Sequence, residues 1–177
     1  MAKENDRDSE TALLYMSDAR KNLIRILQNA YSGELAAAYA YRGHWKSLKE
    51  SGEKTHIKKI EAEEWTHRAN VARWLAALGA KPRKLREAVF WTIGRSLGLT
   101  CRVSGWFLPM YFAGRLESGN AQEYVDAAGL AKELEMHECS EEMMEMSRVE
   151  AEHEDFFRQT VAKHRLLPIT RTFFKWS

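Results

Sequence analysis

The sequence predicts an all-α fold, a four-helix bundle with a long helical crossover between its second and third helices, and three observations predict it. Only three Pro and ten Gly occur in 177 residues, and the chain is rich in Ala, Leu, Glu, Lys and Arg, which cost little in a helix. Apolar residues recur at spacings of three and four in four long stretches, the period of a helix that buries one face. Each stretch also carries an acidic residue in the middle of its apolar stripe: Glu34, then Glu64 with His67, then Glu117, then Glu150 with His153. The length suits one compact domain. Its expected boundaries are a polar lead-in over residues 1–17, the bundle over 18–164 and a basic, aromatic tail over 165–177.

The lead-in lacks the apolar core of a secretory signal, and Ser17 or Asp18 is available as a helix N-cap. The first helix then places Leu23, Leu27, Ala30, Glu34, Ala37, Tyr41, Trp45 and Leu48 on one stripe that should stop at Ser51-Gly52. The second carries Ile57, Ile60, Glu64, His67, Val71, Trp74 and Leu78, with Gly79 just past its end. A short turn between them makes antiparallel neighbours and brings Glu34, Glu64 and His67 to one level. Glu53 and His56 repeat the Glu-x-x-His form lower on the second helix, but that level faces Trp45 and Leu48 with no carboxylate. These two are expected to be solvated residues at the helix start.

Lys81-Pro82-Arg83-Lys84 breaks the second helix. The stretch from there to Leu116 must return the chain across the bundle. Its apolar residues, among them Phe90, Trp91, Leu97, Leu99, Val103 and Trp106, are interrupted by Arg95, Arg102 and Arg115. Such a segment suits a crossover helix packed on the core, the lining of an access channel, or a helix lying on a membrane with its arginines at the headgroups. Its longest uncharged apolar run is far short of the ~20 residues of a membrane span, so membrane contact is expected to be peripheral. The third helix, from about Trp106, aligns Met110, Ala113, Glu117, Asn120, Tyr124 and Ala127; the fourth aligns Met136, Cys139, Met143, Met146, Glu150, His153, Phe157 and Val161. Gly129 is the best signal for the turn between them, within 128–136. The tail, Arg171 to Trp176, suits docking on the bundle, a homo-oligomer contact or a bilayer interface.

A lone Glu-x-x-His means little, since i and i+3 share a face on any helix. The ordered recurrence Glu, Glu-x-x-His, Glu, Glu-x-x-His means more, because it is the ligand set of a carboxylate-bridged di-iron site in a four-helix bundle. Buried without a cation, these charges would be left in the core. Oxygen-rich ligation with few nitrogens suits two iron ions, or manganese, better than structural zinc. Cys101 and Cys139 show no zinc or redox spacing and suggest a reducing, cytoplasmic location. A net charge of +2 offers no footprint for nucleic acid.

Gly33-Glu34, Glu64-x-x-His67, Pro82-Arg83, Trp91-x-x-Gly94-x-x-x-Gly98 with Gly105, Glu117 with Tyr124 seven residues on, and Glu150-x-x-His153 together resemble the ferritin-like superfamily. More narrowly, over about residues 30–160, they resemble its demethoxyubiquinone hydroxylase family of quinone-ring monooxygenases. The resemblance implies a ferritin-like bundle with Glu34 and Glu117 as terminal ligands, Glu64 and Glu150 bridging, and His67 and His153 supplying nitrogen. It also implies O2, an external electron donor, an apolar quinone-like substrate of ubiquinone biosynthesis, and the inner face of a membrane. Tyr124 would stand beside the ligands or face the substrate, plain core packing being the alternative. The chain departs from the family in having Glu123 where a His usually precedes the tyrosine, and in the arginines of its crossover.

Competing readings are a rubrerythrin-like or ferritin-like protein that oxidises iron or reduces peroxide, and a non-catalytic adaptor for a membrane or partner. Hydroxylation of a tRNA base is a further di-iron chemistry. The chain has no rubredoxin-type cysteine pairs for a self-contained rubrerythrin.

Overall fold

Helix ends fall where the backbone can satisfy its last carbonyls. In the computed structural model, which describes residues 2–176 and side chains from Met16 to Trp176, six helices form: α1 Ala2–Ser47, α2 Gly52–Ala77, α3 Lys84–Thr100, α4 Phe107–Glu133, α5 His137–Val161 and α6 Leu167–Phe174. No strand occurs among the described residues. Ser51 caps α2 by accepting from Lys54 N at 3.2 Å. At the other end of α2, Gly79 adopts φ +65°. Gly79 N donates to Ala76 O at 2.9 Å and Ala80 N to Leu75 O at 2.8 Å, closing the helix in a Schellman motif.

Two boundaries differ from expectation. α1 starts at Ala2 rather than after a cap at Ser17 or Asp18; no Gly or Pro precedes Gly33 to stop it, and Asp18 instead pairs with Lys21 one turn on, at 3.1 Å. The turn between α4 and α5 lies at 134–136, and Gly129 is inside α4. A helical Gly costs only about 1 kcal/mol, and the buried Ala127, Ala128 and Ala131 continue the packing past it. The stop is a second Schellman motif, with Glu135 N on Lys132 O at 3.0 Å and Met136 N on Ala131 O at 2.9 Å. Its left-handed position is filled by Glu135 at φ +57°, where a side chain costs about 1–2 kcal/mol. Glu135→Gly is therefore expected to stabilise the protein by about 1 kcal/mol, read as a higher urea midpoint.

Side-chain contacts fix the directions of the helices. Tyr41 and Glu34 of α1 meet Glu117 and Tyr124 of α4, so these helices are antiparallel. His67 and Trp74 of α2 meet Glu150 and Glu142 of α5, which makes that pair antiparallel too. So are α4 and α5, where Ser140 and Ser147 bond Ala128 and Ala121. The crossover helix α3 runs parallel to α1. Gly98 packs on Tyr39 and Gly43, and Gly94 on Ala36, so closely that a Cβ at Gly94 would stand 2.5 Å from the Ala36 carbonyl oxygen. Its start is tied down by Ser32 Oγ donating to Glu87 at 2.8 Å and by the Arg68–Glu87 ion pair.

Apolar side chains gather at two levels. One cluster holds Leu23, Leu27, Val71, Leu75, Ala131 and Met143; the other holds Ile57, Ile60, Met110, Tyr111, Phe157 and Val161. Each fully buried Leu, Ile, Val, Met or Phe side chain among them contributes about 1.5–3 kcal/mol. The acidic residues of the four stripes lie between the two clusters along the helices. Of the tail, Trp176 docks on the body: its indole N–H donates to Glu154 at 2.8 Å, and its ring stands edge-on to Tyr111 at 5.3 Å. A Cβ at Gly114 would overlap that ring.

Candidate metal centre

α1, α2, α4 and α5 each deliver part of one buried cluster. Glu64 and His67 share a face of α2 because they are three residues apart, and Glu150 and His153 do the same on α5. Glu34 and Glu117 arrive from α1 and α4. All six predicted residues meet, in two groups: Glu34, Glu64, His67 and Glu150 form one, and Glu64, Glu117, Glu150 and His153 the other. Within each group one potential ligand atom per residue lies within 4.8 Å of all the others, and Glu64 and Glu150 belong to both. All six side chains are buried.

The cluster is short of positive charge and of hydrogen-bond donors. His67 Nδ1 lies 2.8 Å from Glu150 Oε1. His153 Nδ1 faces Glu64 and Glu150 at 3.4 and 3.5 Å. Both oxygens of Glu64, one each of Glu34 and Glu150, and Nδ1 of His153 lack a hydrogen-bond partner. Such orphaned atoms are rare in a packed core. Burial raises the carboxyl of Glu64 well above the ordinary range, and the charges of Glu150 and Glu34 push it further. Glu117 is raised likewise by burial and by Glu150. For Glu34, burial outweighs its hydrogen bonds and the pKa rises. Glu150 is the exception: burial pushes it up, but the imidazoles of His153 and His67 beside it outweigh that and hold it at about 2. Burial pushes His67 down, yet its bond to Glu150 and the field of Glu34 leave it raised. Four carboxylates and two imidazoles fit two divalent cations, whose four positive charges would replace the protons these groups retain.

Neighbouring side chains position the cluster. Tyr124 donates to Glu34, and Tyr41 to Glu117; Asn120 Nδ2 donates to the other oxygen of Glu117 at 2.9 Å. Tyr124 thus stands beside a candidate ligand. Glu63 accepts from His153 Nε2 at 3.0 Å, which leaves Nδ1 facing the cluster with its lone pair. Glu61 and Asp155 also lie close in sequence to His67 and His153. Glu61 instead holds Arg42 and Trp45 at 2.7 and 2.6 Å, and Asp155 is exposed. Tyr41 and Asn120 were visible only as stripe members; their spacings, seven from Glu34 and three from Glu117, were the available signal. Glu53 and His56 stand apart from the cluster and are half-buried rather than solvated. Glu53 accepts from Trp106 Nε1 at 2.8 Å, and His56 stacks on Phe156 at 3.9 Å.

Two cavities reach the cluster. An apolar one of about 480 Å³ lies between α1, α3 and α4, and Glu117 and Asn120 form part of its wall. A smaller, more polar one of about 190 Å³ touches Glu34, Tyr124, Arg86 and Glu123. The crossover therefore packs on α1 and also lines the apolar cavity. Exposed apolar side chains remain on its outer surface and beyond it, including Leu99, Val103 and, on α6, Phe173. No helix among the described residues is long and apolar enough to cross a membrane.

None of the protein-family models, curated proteins or solved structures compared with this chain matches it.

Proposed function

We propose that this chain is a ferritin-like four-helix bundle holding two irons, a monooxygenase that uses O2 and an external electron donor to hydroxylate an apolar, quinone-like ring. The observation that carries this reading is the double cluster with shared Glu64 and Glu150, set against the apolar cavity at Glu117. Glu34, Glu64, His67, Glu117, Glu150 and His153 would hold the two ions, Glu64 and Glu150 being the residues common to both groups and His67 and His153 the nitrogen donors. Bound iron would supply the O2 chemistry. The chain's own share is positioning. Tyr41 and Asn120 bond separate oxygens of Glu117, fixing the carboxylate that faces the cavity. Tyr124 does the same for Glu34, and Glu63 orients the His153 ring. The alanines of α1 and the apolar side chains of α3 and α4 exclude water from the space in which a ring would lie.

Leu99, Val103 and Phe173, with the neighbouring Arg95 and Arg102, support a peripheral membrane contact that gives an apolar substrate access. Co-sedimentation with anionic lipid vesicles that is reduced in Val103→Glu is the expected result. The activity itself is tested by loading the protein anaerobically with Fe(II), adding a short-chain quinol and O2, and measuring hydroxylated product by mass spectrometry. Product coupled to O2 consumption supports the proposal. Iron oxidation without product would move the assignment to the iron-oxidising class, and failure to bind iron would remove both.

A further inference from the structure

Four polar or thiol residues that the metal centre does not use line the apolar cavity, His44, Thr100, Cys101 and Ser104, and of these only His44 is buried. His44 of α1 lines it and is only 3% exposed. Neither ring nitrogen has a hydrogen-bond partner. Burial lowers its pKa to about 4, so at neutral pH the ring is uncharged and presents one N–H and one lone pair. Leaving such groups unmet in a core is costly, and the surroundings do not meet them. The cavity's accessible lining is almost wholly apolar, formed by side chains such as Ala36, Ala37, Ala40, Leu97 and Phe112.

The direction of the helices gives the cavity an axis. Because α1 and α3 are parallel and in contact from Ala36–Gly94 to Gly43–Gly98, Gly33 and Phe90 mark one end, while His44, Cys101 and Ser104 mark the other. Tyr41, which holds Glu117, precedes His44 by one helical turn, a rise of ~4.5 Å on the same side of α1. A molecule bonded to His44 and lying along Ala40 and Ala37 therefore extends toward Glu117.

We propose that His44 is the polar anchor of this cavity, hydrogen-bonding an oxygen of a ring-bearing apolar molecule whose body packs on Ala36, Ala37, Ala40 and Leu97. A hydroxyl matches it best, since it can donate to the lone pair and accept from the N–H. The anchor fixes which edge of the ring turns toward Glu117, and so acts as a positioning and specificity residue. It deepens the proposed function and rests on that reading only in calling the bound molecule a substrate.

The test compares 2-naphthol with 2-methylnaphthalene, which differ by a hydroxyl in place of a methyl, by equilibrium dialysis against the full-length, metal-free protein. His44→Leu is expected to lower the naphthol-to-methylnaphthalene affinity ratio about tenfold, the effect of one buried hydrogen bond. His44→Gln keeps a donor and an acceptor and should retain much of the ratio. In the wild type, 2-naphthol should shift the ring nitrogen NMR resonances of His44, and 2-methylnaphthalene should not. An unchanged ratio in a folded His44→Leu, or no shift with 2-naphthol, overturns the proposal. Because metal is absent from the assay, a protein that discriminates the two probes but binds no iron refutes the di-iron reading alone. A protein that binds iron but does not discriminate refutes the anchor alone.

Discussion

Glu150→Ala is expected to leave the purified protein almost free of iron, and Glu64→Ala to do the same, whereas Glu34→Ala should keep a single-ion site. The difference follows from membership: Glu64 and Glu150 belong to both ligand groups, and Glu34 to one. Metal analysis after anaerobic Fe(II) loading distinguishes the three variants. Full iron content in Glu150→Ala would return the carboxylates to structural roles. A pH dependence accompanies this. In the metal-free fold, Glu64 and Glu117 keep protons that an unfolded chain, with carboxyls near 4.5, has already released. Folding therefore takes up protons, and their contribution to stability falls as pH rises from 4.5 through the raised values. His67 acts in the same sense, its contribution being present below 6.5 and lost as pH climbs through its raised value. Glu150 acts oppositely, adding stability above 4.5 that is lost as pH falls toward 2. Metal binding expels the retained protons, so apparent iron affinity should increase with pH. Metal-free Glu64→Gln should melt above the metal-free wild type at neutral pH, with the order reversed once iron is supplied.

The six residues of the buried cluster were legible because their signal is local. Glu64 with His67, and Glu150 with His153, share a face by spacing alone, and a charged residue in mid-stripe stands out against its apolar neighbours. What lay beyond the sequence was long-range or hidden by an equivalent spacing. His44 and Trp45 fit the stripe of α1 equally well, and hydrophobicity favours Trp45. In the fold His44 is buried, while Trp45 is half-buried and bonds Glu61. The turn at Glu135 was masked because a left-handed cap normally announces itself by Gly or Asn. Gly94 and Gly98 were visible as a spacing in the crossover, but their partners Ala36 and Gly43 lie more than fifty residues upstream, beyond any periodicity.

Those glycines carry the largest stability effect expected outside the metal cluster. A Cβ at Gly43 would collide with the backbone of Gly98, which has no flexible end to move aside. Gly43→Val should therefore force α3 away from α1, at a cost of ~3 kcal/mol or more, the upper end for overpacking. Gly129→Ala is the matched control: a Cβ there meets nothing within 4 Å, and the substitution should add about 1 kcal/mol through helix propensity. The two centres respond differently to Gly43→Val. The residues of the proposed metal site come from α1, α2, α4 and α5, so iron binding should survive in whatever fraction stays folded. The apolar cavity takes one wall from α3, so binding of 2-naphthol should be lost. Urea denaturation, iron content and naphthol dialysis on the same preparations separate these outcomes. Wild-type stability in Gly43→Val would mean that the crossover does not dock on α1, and the wall of the cavity would have to come from elsewhere.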